Sequence, residues 1–271
     1  MSTWFLTGAS RGLGRELTEQ LLARGDRVVA TLREPDRLDD LATAHGDRLH
    51  RHTLDVTDTA RLRAVVDTAF AEVGRIDVVV SNAGYGVFGA AEELTDAQVE
   101  DVLATNLTAS VQLARAVTPH LRAQGGGRIL QVSSMGGHIA FPGMALYHAG
   151  KWGIEGFFEA FAPEVEPFGI RTTLIEPGMV GTTFYASSVR APVLAPYVDS
   201  PAVHRGTLPV EDMPGDQAKV VVAMIAAGEA ADPPRRLLLG SDAYRLVREA
   251  LRGRLDEVEE QRESAARSDR G

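Results

Sequence analysis

The sequence predicts a single α/β domain in which a parallel sheet of about seven strands is covered by helices on both faces. Two observations support this prediction. Short apolar runs, typical of strands buried on both faces of a sheet, alternate with longer segments whose apolar residues recur at helical spacing. No linker, repeat or change of composition divides the chain, so one domain is expected over residues 1–271.

The predicted elements follow one another in a regular order. Strands are expected at residues 3–7, 27–32, 49–54, 77–81, 128–132, 170–175 and 236–239. Helices are expected from residue 13 to near 25, at 58–73, 95–121, 145–168 and 215–229, and at the C-terminus over about 242–265. Strands that alternate with helices in this way form a parallel sheet, because each helix returns the chain to the same end of the sheet.

The composition argues against several classes of protein. The net charge of −9 disfavours a nucleic-acid partner, since a phosphate backbone needs a basic surface. The chain has no cysteine, which excludes disulfides and thiolate catalysis, and its seven histidines show no metal-ligand spacing, so no metal site is predicted. No run approaches the ~20 apolar residues of a membrane span, and the apolar N-terminus is too short for a signal peptide. A soluble, cytoplasmic protein without a membrane partner is expected.

The first predicted strand runs directly into a glycine-rich turn that contains Gly8, Gly12 and Gly14. A strand, a glycine turn and a helix N-terminus together form a seat for a dinucleotide pyrophosphate. The glycines let the backbone approach the phosphates, and the free N–H groups and the helix dipole attract them. A glycine triplet also occurs in plain turns, but its position after the very first strand favours a dinucleotide site in a doubly wound, Rossmann-type sheet.

The end of the second predicted strand indicates which dinucleotide is bound. Folds that select NAD place a carboxylate here for the ribose 2′-hydroxyl, whereas an arginine accommodates the 2′-phosphate of NADP. Leu32 and Arg33 lie at this strand end, and Arg11 in the glycine turn could reach the same place. NADP(H) is therefore favoured. The alternative is that both arginines are only solvated, and Glu34 beside Arg33 keeps that alternative open.

Polar residues follow the third and fourth predicted strands. Asp55 could accept a hydrogen bond from an adenine amino group, or it could be a turn or helix-capping residue before Thr57. The stretch 82–84, Asn-Ala-Gly, lies at the same carboxyl edge of the sheet, where ligands of such folds bind. Asn106 falls inside a predicted amphipathic helix, where an amide is usually a surface residue or a hydrogen-bonded core residue.

The pair Tyr147 and Lys151 is the strongest candidate for catalysis. Residues four apart lie on one face of a helix, so the phenol and the ammonium can point into the same cleft. An ammonium about 4 Å away supplies roughly the 4 kcal/mol needed to lower a tyrosine pKa from ~10 to ~7. Ser134 follows the strand at 128–132 and could bind the same substrate oxygen as the tyrosine. The chain has only one other lysine, Lys219, so few tyrosine–lysine pairs at this spacing are expected by chance.

The regular pattern lapses over residues 179–213, which are rich in proline and contain Phe184, Tyr185 and Tyr197. A long segment without strong periodicity in a compact domain is usually functional or disordered. Because this one follows a strand carboxyl end, a substrate lid is the favoured interpretation.

These motifs together resemble the short-chain dehydrogenase/reductase family, and the resemblance covers nearly the whole chain. The matching stretches are TGASRGLG at 7–14, LDVT at 54–57, NAG at 82–84, Asn106, Ser134, Tyr147-x-x-x-Lys151 and PGMVGT at 177–182. The stretches ATLRE at 30–34 and IEGF at 154–157 look similar to the NADP-preferring hydroxysteroid and retinol dehydrogenase branch.

The resemblance implies a role for each catalytic residue. Tyr147 would exchange a proton with the substrate oxygen, which Ser134 would hold. Lys151 would lower the tyrosine pKa and bind the nicotinamide ribose, Asn106 would anchor a water that links the lysine to solvent, and Thr182 would bind the carboxamide. The cofactor-binding set implied by motif and resemblance is Gly8, Ser10, Arg11, Gly12, Leu13, Gly14, Leu32, Arg33, Asp55, Val56, Asn82, Ala83, Gly84, Tyr147, Lys151, Pro177, Gly178, Val180 and Thr182.

The predicted function is hydride transfer between NADP(H) and a carbonyl compound or secondary alcohol, with an apolar ketone of steroid, polyketide or aryl type as the expected substrate. The resemblance also implies a homodimer or homotetramer. Two alternatives stay open. One is a non-catalytic, redox-sensing NADP(H)-binding protein, although such a sensor would be expected to lose the catalytic hydroxyls. The other is a nucleotide-sugar epimerase or dehydratase, although those chains are longer and space the first two loop glycines differently.

Overall fold

The computed structural model describes residues 1–203 and 209–270. Residues 204–208 of the predicted lid and the C-terminal Gly271 lie outside the described residues. The strands are β1 Thr3–Thr7, β2 Arg27–Leu32, β3 Leu49–Thr53, β4 Val78–Ser81, β5 Val87–Phe88, β6 Gly127–Val132, β7 Ile170–Pro177, β8 Val189–Arg190 and β9 Arg236–Leu239. The helices are α1 Gly12–Ala23, α2 Asp39–His45, α3 Thr59–Val73, α4 Asp96–Leu103, α5 Ala109–Ala123, α6 Ala145–Val165, α7 Gln217–Glu229, α8 Ser241–Glu260 and α9 Arg262–Ala266.

Seven strands form one parallel sheet in the order β3-β2-β1-β4-β6-β7-β9. The chain moves outward from β1 in one direction through β2 and β3, and then restarts beside β1 with β4 and moves in the other direction. This reversal opens a crevice at the carboxyl ends of β1 and β4, where ligands of doubly wound sheets bind. The predicted Rossmann-type fold is confirmed.

Each face of the sheet has its own apolar core, because successive strand residues point to opposite faces. Val28 faces a core formed with Leu17 and Leu21 of α1 and with residues of α7. Its neighbour Val29 faces the opposite core, built with α3, α5 and α6 and including Phe158. Both valines are fully buried, which explains why the strands appear in the sequence as continuous apolar runs.

The predicted helix over 95–121 is not one regular helix. Thr95 and Gln98 form a capping box that starts α4, and the chain then passes through a π-helical segment, Ala104–Thr108, before α5 begins. A π segment inserts one extra residue into a helical turn and so changes the direction of the side chains beyond it. Here it contains Asn106, which is 1% exposed. Sequence periodicity alone cannot distinguish this segment from a regular helix.

Two further features were not predicted. Helix α2 was missed because Leu41 is its one buried residue, which is too few to give a periodic signal. Strands β5 and β8 pair in parallel as a separate two-stranded sheet, which ties the predicted lid to the loop after β4.

Helix α6 continues through Pro163, which lies in its last turn and does not disturb the turn that carries Tyr147.

The predicted C-terminal helix is present as α8 and the short α9, with Gln261 between them. From Leu255 to the end of α8 every residue is exposed, so the last turns of this helix project from the body of the domain. Within residues 1–203 and 209–270, no helix combines the length and the apolar character that a bilayer crossing requires.

Candidate active site

The turn after β1 has the conformation that its glycines predict. Gly8 has a φ of +72° and Gly12 a φ of +53°, values that side-chain-bearing residues rarely adopt. At Gly14 a Cβ atom would lie 2.2 Å from the carbonyl oxygen of Gly8, so only glycine fits there. The turn leads into the N-terminus of α1, whose first backbone N–H groups are free to bind an anion.

Asn82 holds this turn in place from the neighbouring strand. Its side-chain nitrogen donates to the carbonyl oxygens of Thr7 at 3.1 Å and Gly8 at 3.0 Å. In return, the hydroxyl of Thr7 accepts hydrogen bonds from the backbone N–H groups of Asn82 and Ala83. Asn82 therefore fixes the shape of the glycine turn, a function that its position after β4 did not indicate.

Leu32, Arg33 and Arg11 lie at one end of the cleft. Leu32 is buried at the end of β2, while Arg33 and Arg11 are exposed and line the same cleft. Neither arginine forms a salt bridge with another described residue, so their guanidinium groups are available to an anionic ligand. Glu34, which kept the alternative open, is instead paired with Arg37 at 2.6 Å.

Asp55 is a turn residue. Its Oδ1 atom accepts hydrogen bonds from the backbone N–H of Thr57 at 3.0 Å and from the Thr57 hydroxyl at 2.7 Å. These bonds, together with the nearby positive charge of Arg33, lower the pKa of the Asp55 carboxyl, so it is ionised at neutral pH. Asp55 also lines the cleft, and its second carboxylate oxygen has no bond in this turn.

Asn106 is a buried, hydrogen-bonded amide. Its Nδ2 atom donates to the Tyr85 carbonyl oxygen at 2.8 Å, and its Oδ1 atom accepts from the Tyr85 backbone N–H at 3.0 Å. A Cβ on Gly150 of α6 would lie 3.3 Å from the Asn106 Cβ, so α6 approaches the π segment closely. Asn106 therefore ties the loop after β4 to the helix beneath it, and its role as a water anchor stays a prediction.

Ser134 and Tyr147 meet at the carboxyl end of β6. Ser134 caps a short 3₁₀ turn, in which its Oγ atom accepts from the Gly136 backbone N–H at 3.0 Å. It is also hydrogen-bonded to the Tyr147 side chain. The two hydroxyl groups thus lie side by side, as a clamp for one substrate oxygen requires.

Lys151 lies one turn below Tyr147, with its Nζ atom 5.8 Å from the centre of the tyrosine ring. The ammonium is buried and donates a 3.0 Å hydrogen bond to the Val132 carbonyl oxygen. Burial lowers the pKa of Lys151 to about 8, and the nearby Glu155 opposes this shift. The lysine is still mainly cationic at neutral pH.

The expected lowering of the tyrosine pKa is wrong for this structure. Burial raises the pKa of Tyr147 to about 12, because the phenolate would lose its hydration, and the hydrogen bond with Ser134 offsets only part of this effect. The helical spacing of Tyr147 and Lys151 predicts an attraction between the phenolate and the ammonium, but it contains no information on the cost of burying both groups. At neutral pH Tyr147 is therefore a protonated phenol, which can donate a proton.

The opposite wall of the cleft follows β7. The backbone N–H of Gly178 donates to the Leu239 carbonyl oxygen, and that of Met179 donates to the buried Asp242 carboxylate. A Cβ on Gly12 would lie 3.8 Å from the Thr182 Cβ, so this segment faces the glycine turn across the cleft. The stretch that begins at Pro177 thus closes the predicted cofactor site from the side.

A single cleft of about 960 Å³ joins these groups. All the predicted site residues line it except Gly14 and Asn106, which support the lining residues from behind. Its inner end is apolar, because Phe88 and Met144 pack against Tyr147 and are partly covered by Phe184 and Tyr185. Phe184 and Tyr185 come from the predicted lid. Phe88 and Met144 were missed because a two-residue strand and a single apolar residue before a helix give no periodic signal in the sequence.

His148 is a structural residue at the edge of the cleft. Its Nδ1 atom lies 2.9 Å from the Gly136 carbonyl oxygen, and its Nε2 atom accepts from the Phe141 backbone N–H at 2.9 Å. The imidazole is thus held in its neutral form with the proton on Nδ1, and burial lowers its pKa. His148 fixes the loop that leads from Ser134 to α6.

Buried charges lie below the catalytic residues. His138 is 3.2 Å from Glu176, and Arg236 lies 3.0 Å from Glu155. Glu155 also accepts a 2.5 Å hydrogen bond from Ser133, the neighbour of Ser134. A histidine and two glutamates in such proximity could suit a metal, but the Arg236 guanidinium already lies within ion-pair distance of both carboxylates. The cluster is an internal ion-pair network that joins β6, β7 and β9 to α6.

The fold and the site define a dinucleotide-binding oxidoreductase of Rossmann type. The chain matches the family described as short chain dehydrogenase over residues 2–192. It is 38% identical over 250 residues to oxidoreductase BOA17 of Botryotinia fuckeliana, which covers 89% of each chain. It belongs to the short-chain dehydrogenase family, as the resemblance implied.

Solved structures agree with this assignment. A short-chain dehydrogenase from Streptomyces avermitilis superimposes with a TM-score of 0.91 at 34% identity, over 99% of this chain and 98% of the other. A metagenomic short-chain oxidoreductase, solved in complex with NADP, superimposes with a TM-score of 0.70 at 26% identity, over 88% of this chain and 96% of the other. These similarities support binding of a nicotinamide cofactor.

Proposed function

We propose that this enzyme is an NADP(H)-dependent reductase of apolar ketones. The observation that carries the proposal is the position of Tyr147. Its hydroxyl lies beside that of Ser134, at the point where the polar cofactor half of the cleft meets the apolar half. A substrate carbonyl bound there would have its oxygen at the two hydroxyls and its hydrocarbon part against Phe88 and Met144.

The residues of the chain suit the cofactor. The glycine turn and the N-terminus of α1 offer backbone N–H groups to the pyrophosphate. Arg33 and Arg11 offer positive charge at the corner where the 2′-phosphate of NADP would lie. The nicotinamide supplies a hydride when it is bound. Thr182, across the cleft from the glycine turn, is the proposed partner of the carboxamide.

The protonation states of the catalytic groups favour reduction. Tyr147, with a pKa of about 12, is a protonated phenol and can donate its proton to the oxygen of a carbonyl that is becoming an alkoxide. Ser134 holds that oxygen by a second hydrogen bond. The Lys151 ammonium, buried and close by, stabilises the negative charge that develops on the two oxygens.

The proposal is tested by following NADPH oxidation with a panel of steroid, polyketide-like, aromatic and small aliphatic ketones, with NADH in parallel. We expect turnover of one apolar class, faster with NADPH than with NADH. Tight NADPH binding without turnover of any ketone would contradict the proposal and favour the non-catalytic sensor. Turnover of a nucleotide sugar without net NADPH consumption would favour the epimerase.

Arg33→Ser tests the choice of cofactor. If Arg33 binds the 2′-phosphate, losing this charge-assisted contact should weaken NADPH binding ~10- to 100-fold while NADH binding stays nearly constant. The measurement is the Kd of each cofactor by fluorescence titration. Arg63→Ser is the matched control, since Arg63 is an exposed arginine on α3 that does not line the cleft. If Arg33→Ser weakened the binding of NADPH and NADH equally, Arg33 would not be a specific partner of the 2′-phosphate.

A further inference from the structure

The predicted lid carries an arginine at the rim of the cleft. Arg190 lies in β8, is exposed and lines the cleft. Its guanidinium carbon lies 4.5 Å from the centre of the Phe88 ring, in a cation–π contact. Phe88 is buried and packs against Tyr147 in the apolar half of the cleft. Arg190 therefore lies where the apolar surface that a bound ketone would cover reaches solvent.

The segment that contains Arg190 is attached to the loop after β4. The backbone N–H of Ala191 donates a 2.8 Å hydrogen bond to the Phe88 carbonyl oxygen, as part of the pairing between β5 and β8. Farther along the segment, the backbone N–H of Leu194 donates to the buried Glu93 carboxylate at 2.8 Å. Strand β8 is therefore a wall of the cleft, and it gives Arg190 a defined position beside Phe88.

The N–H donors of Arg190 have no partner in the described part of the chain. A guanidinium carries five N–H donors around its plane, which pair with carbonyl or anionic oxygens. The Arg190 side chain forms no hydrogen bond or ion pair with any residue of 1–203 or 209–270. Arg254, which lies over the Trp152 ring in a similar way, also donates to the His138 carbonyl oxygen. At Arg190 the contact with the ring leaves the donors available to a ligand.

The charges around Arg190 indicate what kind of anion fits. Apart from Lys151 and the residues at the cofactor end, the charged side chains that line the described cleft are Arg190 and Asp101. Burial and the negative charge of Asp101 raise the pKa of Tyr85, and Asp101 forms no ion pair with Arg190 among the described contacts. One guanidinium with one carboxylate in the same half of the cleft suits a ligand group with a single negative charge. A doubly charged phosphate ester would be repelled more strongly by Asp101.

We propose that the substrate of this enzyme is a ketone with a carboxylate at the end remote from the carbonyl, and that Arg190 binds this carboxylate. The inference rests on the reductase function proposed above. The ketone oxygen would lie at Tyr147 and Ser134, and the hydrocarbon chain would cover Phe88. The carboxylate would then accept paired hydrogen bonds from the guanidinium. Because the Phe88 ring already holds the guanidinium, less side-chain freedom is lost on binding.

A series of straight-chain oxo acids of increasing length, each compared with its uncharged methyl ester, tests the proposal on the full-length protein with NADPH. The quantity measured is the ratio of kcat/KM for the acid to kcat/KM for the ester, in which any general loss of activity cancels. We expect the acid of the best length to be preferred ~10-fold or more, as for a charge-assisted hydrogen bond. The preference should fall as salt is added, because Arg190 is exposed.

Variants of Arg190 show whether this residue is the source of the preference. Arg190→Met should lower the ratio to near one, because methionine keeps an apolar contact with Phe88 and lacks the charge. Arg190→Lys should retain part of the preference, since it keeps the charge without the paired donors. Arg63→Met, the control outside the cleft, should keep the ratio of the parent. A ratio near one in the parent at every length would overturn the proposal, as would a preference that survives in Arg190→Met.

Binding of the same compounds to the enzyme–NADPH complex separates this proposal from the reductase itself. The Kd of each acid and ester is measured through the fluorescence of the bound NADPH. If the acids bound more tightly than the esters in the parent but not in Arg190→Met, and no ketone were reduced, the carboxylate site would stand and the reductase would be wrong. Reduction of ketones without any preference for the acids would give the opposite result. Tighter binding of an oxo-alkyl phosphate than of the oxo acid of the same length would contradict the choice of a carboxylate.

Discussion

Tyr147→Phe is expected to lower kcat/KM for the best ketone about 10³-fold, since a positioned proton donor contributes roughly 10²- to 10⁴-fold to the rate of such a reaction. The phenol is buried next to Ser134. Phenylalanine fills the same space, so the affinity for NADPH should change less than about threefold. The two quantities are measured by NADPH oxidation and by fluorescence titration.

Tyr244→Phe is the control for this experiment, because it removes a phenol hydroxyl from the exposed face of α8 and leaves the cleft unchanged. It should retain full activity. If Tyr147→Phe also retained the activity of the parent, the proton would have to come from another group, and the non-catalytic interpretation of the NADP(H) site would regain support.

Lys151→Met is expected to reduce activity ~100-fold or more and at the same time to make the chain more stable. Burial lowers the pKa of Lys151 from its usual 10.5 to about 8, so the folded protein disfavours the ammonium at neutral pH. The difference corresponds to about 3 kcal/mol of unfolding free energy. Methionine has a similar length, and the Val132 carbonyl oxygen keeps its hydrogen bond from Gln131. A gain of about 1–3 kcal/mol is therefore expected.

The pH dependence provides a second readout for the same variant. Below about pH 8 the lysine is charged in both the folded and the unfolded chain, and its burial opposes folding in full. From about pH 8 to the usual pKa of 10.5 the folded chain loses this proton before the unfolded chain does, so this contribution to stability rises with pH. Activity should fall over the same range if the ammonium is needed.

Urea unfolding of the parent and of Lys151→Met, at neutral pH and near pH 10, measures both effects. The gain in stability of the variant should be largest at neutral pH and should shrink at the higher pH. Lys219→Met is the matched control, because Lys219 is the one other lysine of the chain and is exposed. A variant less stable than the parent at neutral pH would contradict this expectation. It would show that the contacts of the buried ammonium offset the cost of its burial more fully than its lowered pKa implies.

Much of the fold and site could be predicted from the sequence, because the signals are local. The alternation of apolar runs with helical segments determines a parallel sheet, and the glycine turn follows from steric limits on only a few consecutive residues. Tyr147 and Lys151 could be paired because residues four apart share a helix face. Such features depend on neighbours in the chain, so the order of residues is sufficient to find them.

Other features were decided only by the tertiary structure. Three such features depend on segments far apart in the chain. They are the π segment at Asn106, the hydrogen bonds from Asn82 to the glycine turn, and the pairing of β5 with β8. The direction of the Tyr147 pKa shift belongs to the same group, because the cost of burial depends on how completely the fold removes water from the phenol. The sequence by itself determined that a glycine turn follows the first strand and that Tyr147 and Lys151 share one helix face. Only the packing of the whole domain decided how these residues are held and in which protonation state they act.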